Sequence, residues 1–488
     1  MLFNSFVFIV QFLPIVWVIY FLLNRIKLYK LAQVVLIAAS FFFYGYHDYK
    51  LCFLLLGTII FNYCFHICLT GKASEKIKKV VLLIGILGNL GLLFYYKYLD
   101  FVLDTVNTLF SRDFVLRNIV LPLGISFFTF QQISMLIDSS KPDMPRYRFL
   151  EYALFVSFFP QLVAGPIVLH QEMIPQFHEE DKKKVHFDNL FMGLEYFILG
   201  FAKKVLVADT FARICDAGYE NLTTLNIYSA LVTMLTFTLQ IYFDFSGYCD
   251  MAKGLAKLFN FEMPINFNSP YKAVNISEFW QRWHMTLTRF LTQYLYIPLG
   301  GNRKGTVRTY LNIMIVFTIS GIWHGADWTF IFWGILHGIA QVIYRMGKKG
   351  FDKLPRWLCW SGNFLFVNIA WVFFRADYSR QPFYFLPRLI FGGGGFCQQP
   401  LLDALCPNAV GLVLLERFLP VGAMAFMQQL WVILWLFAGT FVCVKFPSSH
   451  EIVEKKNRST GYLFLLGFLF AWTFLGLTQI SKFIYFNF

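Results

Sequence analysis

Charge is the scarcest ingredient of this 488-residue sequence: Asp, Glu, Lys and Arg together make up 14% of it, where a soluble domain carries about 25%. That shortage excludes a cytosolic globular enzyme and a disordered chain. The nine cysteines (Cys52, Cys64, Cys68, Cys215, Cys249, Cys359, Cys397, Cys406 and Cys443) form no C-x-x-C pair and fall mostly inside apolar runs. This excludes a disulfide scaffold and reads as small packing residues rather than metal ligands. No repeat period links the polar interruptions, which argues against the two-halved transporter folds. Catalytic signatures are missing too: there is no G-x-S-x-G elbow, Walker phosphate loop, G-x-G-x-x-G or H-E-x-x-H helix. Nor is any His followed five positions later by Asp.

What is present is apolar surface. Hydrophobic residues make up 57% of the chain, with 60 Phe, 25 Tyr and 12 Trp. At about 20 apolar residues per crossing, this is material for roughly ten to thirteen membrane spans. Long runs lie at roughly 3–23, 51–69, 79–97, 98–111, 116–138, 149–169, 188–208, 226–247, 309–345, 358–374, 420–444 and 461–485. No Lys or Arg precedes the first run and no small-residue cleavage pattern follows it, so it reads as a retained first helix rather than a signal peptide. The net charge of +14 is assigned to topology, not to nucleic-acid binding. Arg25, Lys27 and Lys30 follow the run 3–23 and Lys72, Lys76, Lys78 and Lys79 follow the run 51–69, while the loop near 47–50 between them is poor in charge. Cationic loops stay cytoplasmic, which places the N-terminus outside.

Three runs are interrupted in ways an ordinary span is not. Leu121-Pro122-Leu123-Gly124, Ala164-Gly165-Pro166 and Gly321-Ile322-Trp323-His324-Gly325 put helix breakers, or a polar group beside glycine, inside apolar sequence. In lipid, such backbone survives only where it is buried in protein or lines a wet cavity, so re-entrant or broken helices around an internal cavity are expected. The stretch 250–305 mixes Trp280, Trp283, Tyr294 and Tyr296 with Arg282, Arg289, Arg303 and Lys304. That mixture predicts amphipathic helices at a membrane interface.

Ionisable groups at membrane depth are functional candidates by default, and histidine titrates nearest neutrality. His178, His186 and His450 fall in polar loops and read as solvated; His47, His66 and His170 lie near run ends or in a Cys-rich helix, where a bond to a carbonyl would satisfy them. His324 differs, because Ile313–Ser320 and Phe330–Trp333 around it are almost wholly apolar and Gly321 and Gly325 bracket it. It is expected deep in the membrane at a bend, either as a satisfied core histidine or as a general base. His284, beside Trp283, and His337, thirteen residues after His324, are the other candidates. Without an evident Ser or Cys nucleophile, a deep histidine favours general-base chemistry over a covalent intermediate.

Five blocks, in order, then carry a resemblance. They are Phe159-Pro160-Gln161-Leu162-Val163-Ala164-Gly165-Pro166-Ile167; Tyr242-Phe243-Asp244-Phe245-Ser246-Gly247-Tyr248; Asn266-Phe267-Asn268-Ser269-Pro270-Tyr271; Glu278-Phe279-Trp280-Gln281-Arg282-Trp283-His284-Met285-Thr286-Leu287; and Tyr294-Leu295-Tyr296-Ile297-Pro298-Leu299-Gly300-Gly301-Asn302-Arg303-Lys304-Gly305. With Gly321-Ile322-Trp323-His324-Gly325-Ala326-Asp327-Trp328-Thr329-Phe330 added, the chain resembles the membrane-bound O-acyltransferase (MBOAT) family in its alginate O-acetyltransferase branch. The resemblance covers roughly 1–345 by motif and the remainder by hydropathy. Phe290, Thr292 and Gln293 stand where Trp, Arg and Asp are expected in the branch, and Asp327 stands where Asn is common.

The resemblance implies an all-α polytopic membrane protein of roughly 11–13 transmembrane helices around a central pore, in one domain spanning 1–488. Residues 1–115 would supply N-terminal helices, 116–345 the catalytic core and 346–488 C-terminal helices. It further implies that His324 is the active-site histidine and His284 the second family histidine, with Trp323, Trp283, Asn268 and Asp327 in support. Asp327 would accept an imidazole N–H or face solvent. Arg282, Arg289, Arg303 and Lys304 would hold the phosphates of coenzyme A or anchor the interface. No bound cofactor or metal is implied. Acetyl-CoA or another acyl thioester is a co-substrate, an extracytoplasmic acceptor or acetyltransferase partner is expected, and the site is a bacterial inner membrane. Three readings follow: an O-acetyltransferase for exported polysaccharide or peptidoglycan, a D-alanyl transferase for teichoic acid fed by an acyl-carrier protein, and a transporter with His324 as proton relay.

Overall fold

Lipid offers no hydrogen bonds to backbone N–H and C=O, so apolar runs of this length close their bonds internally as helices. The computed structural model describes residues 1–405, 421–477 and 483–484, and among these there are helices and loops but no strand. Cys406 and the end of the run 461–485 lie outside the described residues. Phe8–Arg25, Lys50–Leu69, Glu75–Phe110, Arg356–Arg375 and Phe426–Lys445 are long and apolar enough to cross a membrane. Tyr29–Gly45 and Thr460–Leu475 are shorter apolar helices. These elements turn Leu83, Leu87, Phe437 and Phe464 outward, as a lipid-facing layer does.

Ile125–Ser139 and Ile227–Leu258 stand inside that layer, while Phe187–Ala202, Thr306–His324 and Trp328–Phe351 each turn one face inward and another outward. Ile227–Leu258 is the most enclosed of the long helices, with both its polar and its apolar residues buried along most of its 32 positions. Phe187–Ala202 crosses it on glycines: a Cβ at Gly200 would strike the Gly247 carbonyl, and one at Gly254 would lie 2.6 Å from the Gly193 carbonyl. Small residues allow this close approach where lipid supplies no hydrophobic drive to pack helices.

Two expectations are corrected. The runs 79–97 and 98–111 are one helix, interrupted by a π-helical turn at Phe94–Tyr98 rather than a break. Within 250–305, Trp280 and Trp283 do not lie at an interface but are buried. Trp283 packs on Phe267, Phe279 and Trp371, and Trp280 on Trp333 and His337. Ring-on-ring packing inside the bundle outweighs the interfacial preference of the indoles. Of the eight described cysteines, Cys215, Cys249, Cys397 and Cys443 are buried as expected, but Cys64 and Cys68 face outward from Lys50–Leu69.

Candidate active site

His324 is the last residue of the helix Thr306–His324 and is 3% exposed. The helix packs closely on Trp328–Phe351: a Cβ at Gly321 would collide with the Phe330 carbonyl, and one at Gly334 with the Phe317 carbonyl. The crossing therefore fixes the depth at which the helix stops. The other two breaks meet at the same place. Gly124 takes φ 74°, a left-handed conformation open to glycine. A Cβ there would lie 2.8 Å from the Leu162 carbonyl, so the first break seats directly on the second. A crevice of about 30 Å³, enough for a water or two, is lined by Leu121–Phe127, Val163, Trp323, His324 and Lys97.

His284 reaches this point from a different segment. It caps the helix Met285–Leu291 at φ 45°, a rare backbone region for a side-chain-bearing residue. Its Nδ1 pairs with Asn266 Oδ1 at 3.1 Å, and the same oxygen accepts from the Thr286 N–H and hydroxyl. The two imidazole centroids stand 6.4 Å apart. Around them, Phe245 packs at 4.8 Å on His284, and Trp323, Trp333 and Phe374 pack at 4.9, 5.0 and 5.2 Å on His324. Trp333 also bridges to His337 at 4.7 Å, and Trp280 Nε1 donates to His337 Nδ1 at 3.2 Å. Two buried histidines thus share one aromatic box.

The crevice shares Lys97 and Leu121 with a polar cavity of about 700 Å³. Its wall carries Lys204, Asp209, Asp244, Gln240, Arg375 and Asp377. Lys204 Nζ lies 2.6 Å from Asp244 and 2.8 Å from Asp209, and Arg375 spans Asp216 and Asp377 at 2.9 and 2.8 Å. The Ile484 N–H donates to the second oxygen of Asp244 at 2.8 Å, and Ile484 joins the cavity lining.

The structure separates the sequence candidates. His324, His284, Trp323 and Trp283 come together. Asn268 does not hold His284; Asn266, two residues earlier, does. Asp327 lines the polar cavity and caps Trp328–Phe351 by accepting the Thr329 N–H at 2.8 Å. Its carboxylate stabilises a helix start instead of orienting the imidazole. Arg282 is paired with Glu278 at 2.9 Å, and Arg289 forks onto Glu172 at 2.5 and 2.8 Å. Arg303 and Lys304 are exposed in the loop before Thr306. His66 bonds the Ser139 hydroxyl, and His170 sits between Asp138 and the Tyr147 hydroxyl, so neither closes on a carbonyl. The sequence reading missed Lys97, Asn266 and the Lys204–Asp244 pair. The available signal was a lone lysine inside the apolar aromatic stretch Phe94–Phe101.

A helical bundle whose interior breaks three backbones around two buried histidines, next to a polar cavity, defines a membrane enzyme working on substrates brought to its core. The comparisons name the family. Residues 87–377 match the MBOAT, membrane-bound O-acyltransferase, family, and the chain belongs to it as a multi-pass membrane O-acyltransferase. It is 39% identical to the peptidoglycan O-acetyltransferase of Helicobacter pylori, across 100% of this chain and 98% of that one. It is 38% identical to a probable alginate O-acetylase of Pseudomonas aeruginosa, across 77% and 72%. A teichoic acid D-alanyltransferase of Bacillus subtilis is 26% identical over 50% of this chain and 63% of its own.

Proposed function

We propose that this protein transfers acetyl from acetyl-CoA on the cytoplasmic side to hydroxyls of peptidoglycan or another exported glycan, directly or through an extracytoplasmic partner. The observation that carries the reading is the convergence of the three breaks and His284 on His324 beside the polar cavity. Similarity along the whole chain to a peptidoglycan enzyme, against about three quarters for the alginate relative, favours peptidoglycan as the acceptor. Thr306–His324 starts beside Arg303 and Lys304 and rises about 28 Å at 1.5 Å per residue. With that cationic loop in the cytoplasm, the polar cavity opens on the outer side of a bacterial inner membrane.

In the reaction, the His324 imidazole takes the proton of an acceptor hydroxyl as its oxygen bonds to the thioester carbonyl carbon. The tetrahedral oxyanion collapses, the C–S bond breaks, and the leaving thiolate takes the proton back, restoring neutral imidazole. His284, held by Asn266, presents its ring toward the same space. The aromatic box excludes bulk water, so the thioester meets the acceptor before it meets hydroxide. In this reading Arg303 and Lys304, exposed at the opposite helix end, would hold the coenzyme A phosphates.

The test compares alkali-labile acetate released from purified envelope glycan in cells carrying wild type, His324→Ala or no copy, at matched membrane expression. Acetate at the no-copy level in the mutant is expected, and the fraction that loses it identifies the acceptor. Equal acetate in all three sinks the acetyl reading. Ester-linked D-alanine in the same fractions then tests the alternative that the Bacillus relative suggests.

A further inference from the structure

An α-helix leaves its last four carbonyls without partners of its own, and inside a membrane protein each must find a donor. The helix that ends at His324 has all four accounted for. Gly321 O accepts weakly from the Gly325 N–H at 3.5 Å. Ile322 O accepts from the Tyr98 hydroxyl at 2.9 Å. Trp323 O and His324 O both accept from Lys97 Nζ, at 2.7 and 3.0 Å. The third ammonium proton of Lys97 meets Ser126 Oγ at 3.2 Å, in the first turn after the Gly124 break. One buried side chain therefore has its three donors filled and joins three elements at the histidine.

Two further features mark this as more than a cap. Lys97 lies in the π-helical turn Phe94–Tyr98, a local widening that recurs at functional sites and here turns two consecutive side chains onto one helix end. A cation at membrane depth is expensive, and neutral groups can satisfy carbonyls, as Tyr98 does one residue away. Among the described residues, Lys97 is also the one charged residue that lines both the crevice at His324 and the polar cavity.

We propose that Lys97 is a positioning residue for the acyl transfer: its ammonium clamps the terminal turn that carries His324 against Ser126 and the cavity wall, fixing the imidazole in line with both substrates. The cation also suits the negative end of the helix dipole, which points at this spot. The inference rests on the reading of His324 as the general base. The ion pair of Lys204 with Asp244 and Asp209 lines the polar cavity but not the crevice at His324, whereas Lys97 lines both.

The experiment uses full-length protein purified in nanodiscs, with acetyl-CoA as donor and envelope glycan as acceptor, in wild type, Lys97→Met, Lys97→Gln, Tyr98→Phe and His324→Ala. Misplacing a catalytic group by about 1 Å costs on the order of a hundredfold. Lys97→Met is expected to lose between about ten- and a hundredfold in kcat, with KM for the thioester within about twofold. Lys97→Gln, which keeps two N–H donors, is expected to recover part of the loss, and Tyr98→Phe to lose less than Lys97→Met. Backbone hydrogen exchange gives a second readout: amides 319–327 should exchange faster in Lys97→Met while those of Ile227–Leu258 do not change. Unaltered exchange at 319–327, or a loss of rate that only follows lost folded protein, overturns the proposal. Should Lys97→Met fail to fold, Lys97→Gln and Tyr98→Phe carry the same comparison. His324→Ala separates the two readings: full activity there sinks the general-base assignment, while the exchange result still decides whether Lys97 holds the turn.

Discussion

Lys204 shows what burial does to a single residue. Its ammonium is 2% exposed and sits between two carboxylates, Asp244 and Asp209. Such a group is stabilised only by its partners, so removing one member of a buried pair typically costs about 3–5 kcal/mol because the other is left charged and unpaired. Lys204→Met is therefore expected to lower the melting temperature of the purified protein sharply, and Lys204→Met/Asp244→Asn to recover part of the drop. A double variant no more stable than the single one would show that the pair contributes nothing as a pair. At this scale the sequence was legible in type and depth but not in partnership. His324 stood out because apolar residues and two glycines surround it. Lys97 did not, because the carbonyls that explain it lie 226 and 227 positions away. Asn266 was missed for the same reason: it shares one short segment with Asn268, and only the turn geometry shows which of the two faces His284.

Elements determine where residues stop. The helix Thr306–His324 delivers its last residue to the core because Gly321 and Gly334 let it approach Trp328–Phe351 closely. A valine at Gly334 would strike the Phe317 carbonyl, push the helices apart and carry His324 with them. Gly334→Val is expected to insert in the membrane yet transfer acetyl at least about tenfold more slowly per folded molecule, since misplacement costs rate before it costs the fold. Gly467→Val is the control, in the apolar helix Thr460–Leu475 where a Cβ meets nothing within 4 Å, and it should leave the rate unchanged. Equal rates for both variants would remove the crossing from the account. The three backbone breaks were legible from proline and glycine inside apolar runs. The π turn at Phe94–Tyr98 and the burial of Trp280 and Trp283 were not: a π turn has no compositional mark, and aromatic residues among arginines describe an interface and a buried stack equally well.

At the scale of the whole molecule, function depends on which side of the membrane each opening faces. A thioester made in the cytoplasm and a glycan outside it can meet at His324 only if the cationic loop and the polar cavity face opposite compartments. The loop holds Arg303 and Lys304, and the cavity rim holds Asp216 and Asp377, 53% and 62% exposed at the side chain. The proposed orientation, from positive-inside asymmetry, puts the loop in the cytoplasm and the rim outside. This orientation rests on the apolar runs and the charge pattern of the sequence, whereas the cavity itself depends on contacts among distant segments. Labelling checks the orientation directly. Arg303→Cys and Asp377→Cys are treated in intact spheroplasts with a membrane-impermeant maleimide, and wild type, with its native thiols, sets the background. Asp377→Cys should label at once and Arg303→Cys only after the membrane is permeabilised. If the acceptor enters there, as proposed, blocking the rim should also slow acetyl transfer. The opposite labelling order would put the cavity in the cytoplasm, and the direction of transfer proposed for His324 would have to be reversed.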